Sequence, residues 1–207
     1  MKLGVEHVKQ WMQALSQKLQ EQKTYLTELD QAIGDGDHGL NIARGFQEVV
    51  YKITIINYED VGSLFKDIGM TLLSKVGGAS GPLYGTVFLK ASAEVKGKEE
   101  LTYADLSTAL AASLEGLKMR GKANIGDKTM IDVWEPVVGY LQKESEDWDA
   151  LVSLAKTSME GTKELEAKKG RAAYLGKRSV GHLDPGSVSS YYFFEELAKV
   201  CKEVSAS

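Results

Sequence analysis

Apolar residues at helical spacing recur along almost the whole chain, and this periodicity limits the fold more than any other feature. Val5, Val8, Met12, Leu15 and Leu19 step by three or four residues and form one stripe on a helix from about residue 4 to 22. The pattern continues or restarts through residues 24–29. Further helices are predicted over about 39–56, 60–75, 82–96, 102–120, 129–144, 147–169 and 186–203. Thr102 with Asp105 resembles a capping box, and Asp184-Pro185 sets an N-cap ahead of a first-turn proline. The best strand candidate, Ile53-Thr54-Ile55-Ile56, is short and has no partner in the sequence. The reading is all-α: a single domain over 1–207, an antiparallel up-and-down bundle or barrel of eight helices.

The connections divide into two kinds. Those near 57–59, 97–101 and 145–147 are short and chemically plain, whereas those at 30–38, 76–81, 121–128 and 170–185 carry glycines, carboxylates, hydroxyls and cations. The second kind are the first, third, fifth and seventh connections. In an up-and-down bundle, alternate connections share one end. Twelve of the 21 glycines fall in these stretches, the first taken to Gly39 and the last to Gly186, so the permissive backbone gathers on one rim.

Composition removes several classes of function. Net charge is −4 and 43% of residues are apolar, which excludes a disordered chain and a basic nucleic-acid binder. No apolar run is long enough to span a bilayer, and the N-terminal residues do not form a secretory leader. Cys201 is the only cysteine, so no internal disulfide forms. A cytoplasmic protein with no nucleic-acid or membrane partner is expected.

Two familiar patterns fail in context. Residues 34–39 match G-x-G-x-x-G, but a helical segment precedes them and Asp35 and Asp37 would repel a pyrophosphate. Residues 116–123 fall one residue short of a P-loop, with Ala123 where a hydroxyl is required. Asp30, Asp35 and Asp37 make better sense as ligands of a hard cation. An EF-hand is excluded because Phe46 stands at the twelfth position, and Mg²⁺ suits a few carboxylates plus phosphate oxygens. The small-residue run Val76–Gly81, with Pro82 expected at N1, can cradle an anion at a helix start. Arg171 and Arg178 suit polyphosphate through their planar donors, and His38 and His182 are candidate bases or phosphoacceptors. Together these groups describe a nucleotide polyphosphate site.

Five ordered motifs carry a resemblance. They are Asp30-x4-Asp35-Gly36-Asp37-His38-Gly39-x-Asn41; Lys75-Val76-Gly77-Gly78-Ala79-Ser80-Gly81-Pro82; Arg120-Gly121-Lys122-Ala123; Gly126-Asp127-Lys128-Thr129-Met130; and Gly170-Arg171-Ala172-x-Tyr174-Leu175-Gly176 with Gly181-His182-x-Asp184-Pro185-Gly186. The chain resembles the nucleotide-binding L subunit of dihydroxyacetone kinase over nearly its whole length, departing at Ala173, where that family often has Ser. The resemblance implies an eight-helix barrel that holds ADP or ATP as a bound coenzyme with two Mg²⁺ ions at one end. Carried over by residue, Asp30, Asp35 and Asp37 would hold the metals. His38, Gly39, Leu40, Asn41, Ala79, Ser80, Gly121, Met130, Arg171, Asp184, Pro185 and Gly186 would line the nucleotide. Arg178 is added on charge alone as a phosphate contact, and no residue is given a catalytic role.

The resemblance further implies the phosphotransferase-system form. There a phosphohistidine donor, the M subunit, rephosphorylates bound ADP, and the phosphoryl group passes to dihydroxyacetone on the K subunit. A transcription regulator is a further partner of this kind of chain. The competing readings are a partner domain of a conventional ATP-dependent kinase, a nucleotide-state-dependent binding module, and a Mg-dependent phosphohydrolase.

Overall fold

The computed structural model describes residues 1–143 and 146–206. Its helices are α1 (Val5–Ile33), α2 (His38–Ile55), α3 (Val61–Lys75), α4 (Ser80–Glu94), α5 (Tyr103–Gly121), α6 (Ile131–Leu141), α7 (Trp148–Gly161) and α8 (Pro185–Ala206). Each helix packs on the next, and α8 packs on both α7 and α1, so the eight close into a ring as expected. Two short strands, β1 (Leu3–Gly4) and β2 (Glu100–Leu101), pair antiparallel. That bridge was not foreseen, because two-residue strands leave no periodic signal. Among the described residues no helix is long and apolar enough to cross a membrane.

Several boundaries differ from the sequence reading, each for a physical reason. α1 neither ends at residue 22 nor restarts, because buried Leu19, Leu26 and Ile33 prolong its stripe for three more turns. The Ile53–Ile56 stretch is not a strand: Ile42, Phe46, Val49 and Ile53 form one buried helical face of α2. α4 starts at Ser80, which puts Pro82 at the third helical position; this is tolerated because first-turn amides need no intrahelical acceptor. α6 covers Ile131–Leu141, and the expected end at 144 lies outside the described residues. α7 stops at Gly161 instead of running to 169. The Thr162 carbonyl accepts from the Lys128 ammonium at 2.6 Å, and the chain continues as 3₁₀ turns at Thr162–Glu164 and Arg171–Ser179. The Thr102–Asp105 capping box forms as expected, and Asp184 accepts from the Ser187 amide at the start of α8.

The barrel interior is filled by rings. Phe193 of α8 lies 4.8 Å from Trp11, 5.9 Å from Phe88 and 5.0 Å from Trp134, centroid to centroid. Each such ring contributes roughly 1.5–3 kcal/mol through burial. Toward one end this apolar stack gives way to buried hydroxyls. Trp134 Nε1 donates to Ser190 Oγ at 3.0 Å, and the Tyr84 hydroxyl sits 2.9 Å from Ser189 Oγ. The opposite end is sealed by the even connections. The Val61 amide donates to the Lys98 carbonyl at 2.8 Å, and the Tyr103 hydroxyl donates to the Leu141 carbonyl at 3.0 Å.

Candidate functional site

The three acidic residues of the first connection converge. Asp30 lies buried in the last turn of α1, and its Oδ2 accepts from the amides of Asp37 (2.9 Å) and His38 (3.1 Å), which caps α2 from outside that helix. Glycine is required at 34, where a Cβ would lie 2.0 Å from Asp30 Oδ1, and Gly36 turns the chain at φ +73. One oxygen from each of Asp30, Asp35 and Asp37 falls within 4.8 Å of the others. Burial, then repulsion from Asp35 and Asp30, pushes the Asp37 carboxyl above its ordinary value; the Asn41 bond and Arg171 act the other way. An all-oxygen set of three carboxylates, met by one guanidinium, fits a hard divalent cation and not a soft one. Arg171 reaches across from the last connection, with Nε 2.8 Å from Asp35 Oδ2.

The start of α4 lies beside this cluster. Its N-cap, Ala79, offers no side-chain acceptor, so the first-turn amides are left for another anion. His38 is buried with Nδ1 2.8 Å from Ser80 Oγ and Nε2 3.0 Å from Ser189 Oγ. Burial, the largest cause, lowers its pKa to about 4, so the ring is neutral at pH 7. With both ring nitrogens facing hydroxyls, His38 is a structural element of the floor and not a free phosphoacceptor. His182 is exposed; its carbonyl, not its ring, enters the local network.

The remaining two loops are shaped from within. Asp132 accepts from the amides of Gly126 (2.5 Å) and Thr129 (2.7 Å) and folds the fifth connection onto itself. Lys128 stands in this loop with left-handed backbone, φ +60, yet its side chain is buried. Its ammonium donates to the carbonyls of Thr162 and His182. Burial pushes the Asp184 carboxyl up to about 7 against the bond from Ser187.

All four odd connections line one cleft of about 600 Å³. Its polar end carries Asp30, Asp35, Asp37, Ser80 and Arg171, and an apolar wall is formed by Leu83, Leu117, Ala123, Met130 and Ile131. Of the residues expected at a ligand, Asp30, Asp35, Asp37, His38, Ala79, Ser80, Gly121, Met130, Arg171, Asp184, Pro185 and Gly186 are brought together here. Gly39, Leu40, Asn41 and Arg178 are not among the lining residues. Gly39 serves helix packing, since a Cβ there would lie 2.1 Å from the Lys23 carbonyl. Leu40 is 59% exposed, Asn41 accepts from Arg44 at 3.1 Å, and Arg178 is exposed. Sequence reasoning gave no role to Lys128, Tyr84 or Ser189; only the hydroxyl-rich start of α8, Ser187-Val188-Ser189-Ser190, hinted at a polar floor.

Comparison with known proteins gives the family of the chain and relatives of the same fold. The DAK2 domain family matches residues 32–199. The chain is 49% identical over 187 residues to the ADP-binding subunit DhaL of PEP-dependent dihydroxyacetone kinase 1 of Listeria innocua, covering 90% of this chain and 92% of that protein. It is 43% identical to the ADP-binding subunit DhaL of the PEP-dependent dihydroxyacetone kinase of Escherichia coli, over 98% of this chain and all of the relative. Among solved structures, the dihydroxyacetone kinase of C. freundii in complex with AMP-PNP and Mg²⁺ superposes with a TM-score of 0.73 at 27% identity. The match covers 93% of this chain and 33% of that longer one.

Proposed function

The chain belongs to the DAK2 domain family, and we propose that it is the ADP-binding subunit of a phosphoenolpyruvate-dependent dihydroxyacetone kinase, a phosphotransferase. The observation that carries this reading is the polarity of the cleft. An apolar wall of Leu83, Leu117, Ala123, Met130 and Ile131 suits a purine, while the opposite end offers carboxylates, a helix N-terminus and an arginine for a polyphosphate with its cation. Asp35 and Asp37, with the oxygen of Asp30 not engaged by backbone amides, would hold one or two Mg²⁺ ions. Bound there, Mg²⁺ supplies neutralisation of the phosphate charge.

This chain's own contribution is positioning. Ser80 and the first amides of α4 would meet phosphate oxygens, Arg171, paired with Asp35, would reach toward them, and the Asp184-Pro185-Gly186 turn would border the nucleotide. Since both ring nitrogens of His38 are engaged by the Ser80 and Ser189 hydroxyls inside the floor, this ring is not placed to take the phosphoryl group, which fits a subunit whose nucleotide carries it. The donor is a phosphohistidine on a partner M subunit, and the acceptor is dihydroxyacetone on a K subunit. The higher identity to the two DhaL relatives, 49% and 43%, than to the longer dihydroxyacetone kinases of Dictyostelium discoideum and Saccharomyces cerevisiae, 30%, supports this form over an ATP-exchanging kinase domain. The setting is the cytoplasm, where such donors work.

The test is to load the protein with labelled ADP and Mg²⁺ and remove free nucleotide. A phosphohistidine donor is then added, and bound and free nucleotide are separated. Labelled ATP forming on the protein without release is the expected result. Conversion only after exchange with free ATP would overturn it.

A further inference from the structure

The last cleft connection is the longest excursion in the fold, and its two ends are drawn together by a residue from a different loop. Lys128 Nζ lies 2.6 Å from the Thr162 carbonyl and 2.5 Å from that of His182. Beside this clasp the Gly181 amide donates to the Lys163 carbonyl at 2.8 Å, and the Asp184 amide to Thr162 Oγ1 at 3.2 Å. The chain between leaves and returns as an arch, and Arg171 hangs from it toward Asp35.

Two costs meet at Lys128. Its backbone is left-handed, and its cationic side chain is 1% exposed. Such a residue persists where its surroundings over-determine it, and what it secures here is the neck of the arch. The Arg171 side chain, by contrast, is 69% exposed, so its position over the cleft depends on the backbone that carries it.

We propose that Lys128 is a positioning residue: it closes the neck of the 162–182 arch and so holds Arg171 over the carboxylate cluster, acting on a bound ligand through Arg171. The ligand arm of this proposal rests on the reading of the cleft as a Mg·ADP site. Hydrogen exchange tests the neck in ligand-free protein. The Gly181 and Asp184 amides should be protected in the wild type, and Lys128→Met should lower that protection about tenfold or more while leaving α3 unchanged. Unprotected neck amides in the wild type would overturn the proposal without any variant.

A double-mutant cycle read by calorimetry with Mg·ADP tests the coupling. Lys128→Met should weaken binding about tenfold when Arg171 is present and less than about twofold in an Arg171→Ala background. Additive losses would mean that Lys128 acts independently of Arg171, which overturns the proposal. Absence of Mg·ADP binding in the wild type would overturn the functional reading instead, with the exchange result still deciding the neck.

Discussion

The two ends of the barrel are built from the same helices and solve different problems. At the sealed end, chain reversals are short and their polar groups find partners close at hand: Asp60 accepts from Ser63 and Gly97, and Thr102 and Asp105 cap each other. At the cleft end, polar groups are buried, crowded or bonded across long sequence separations. Of the nine described residues with positive φ, eight lie at the cleft end, and Gly97 is the exception. Left-handed backbone therefore follows the site and not the mere presence of turns, and it is strained at Lys122 and Lys128, where the residue is not glycine. One end is optimised for stability, and the other carries strain and like charges that a ligand is suited to relieve.

That contrast is open to direct attack. The largest effect is expected from Asp35→Asn, which should weaken Mg-dependent ADP binding about 100-fold or more, roughly 2.7 kcal/mol. Ligand-free melting should be unchanged or raised, since a repelling charge is gone. Calorimetry with and without Mg²⁺ reads the first and a thermal scan the second; equal ADP affinity in both conditions would remove the cation from the site.

Gly39→Ala comes next. The residue sits inside a ligand motif, but its Cβ would meet the Lys23 carbonyl at 2.1 Å. Overpacking of this kind costs about 1–3 kcal/mol, seen in denaturant unfolding. Lost affinity at unchanged stability would instead return Gly39 to the nucleotide.

The third test uses pH. The folded-state pKa of Asp184, about 7, lies above its ordinary value, so its contribution to stability is complete in acid and is lost as pH rises toward 7. His38, lowered to about 4, works in the opposite sense and loses stability as pH falls below its ordinary range. Asp184→Asn removes the first slope alone. The melting temperature of the variant minus that of the wild type should rise by several degrees from pH 4.5 to 7.5. A flat difference would mean that Asp184 ionises normally.

The smallest effect belongs to the sealed end. Thr102→Ala should remove about 1 kcal/mol and lower melting by about 2–4 °C with Mg·ADP affinity intact. A loss of affinity there would show that the two ends are coupled.

What the sequence made legible was local. The Thr102–Asp105 box, the Asp184-Pro185 start of α8 and the clustering of Asp30, Asp35 and Asp37 each lie within eight residues of chain, and each formed. The alternation of rich and plain connections then placed four loops at one end without any knowledge of contacts. Features set by distant partners stayed hidden. α7 stops where Lys128, 34 residues earlier, takes a carbonyl, and Ser80 and Ser189 meet through His38 across 42 and 151 residues. Gly39 stands in a ligand motif by its neighbours in sequence, and only the packing of α2 on α1 reveals that a Cβ there would meet the Lys23 carbonyl.

The position of Phe193 has a consequence for how the molecule assembles. Rings from α1, α4 and α6 all meet on this one side chain, and the Trp11 indole donates to its carbonyl across 182 residues. During synthesis the rings of α1, α3 and α4 can meet one another, but the side on which Trp11, Phe88 and Trp134 receive Phe193 stays open until α8 arrives. Closure is a late, non-local event, slow by topology. Until it happens the nascent chain exposes an adhesive inner surface, so interruption before Phe193 should yield aggregation and not a smaller folded barrel.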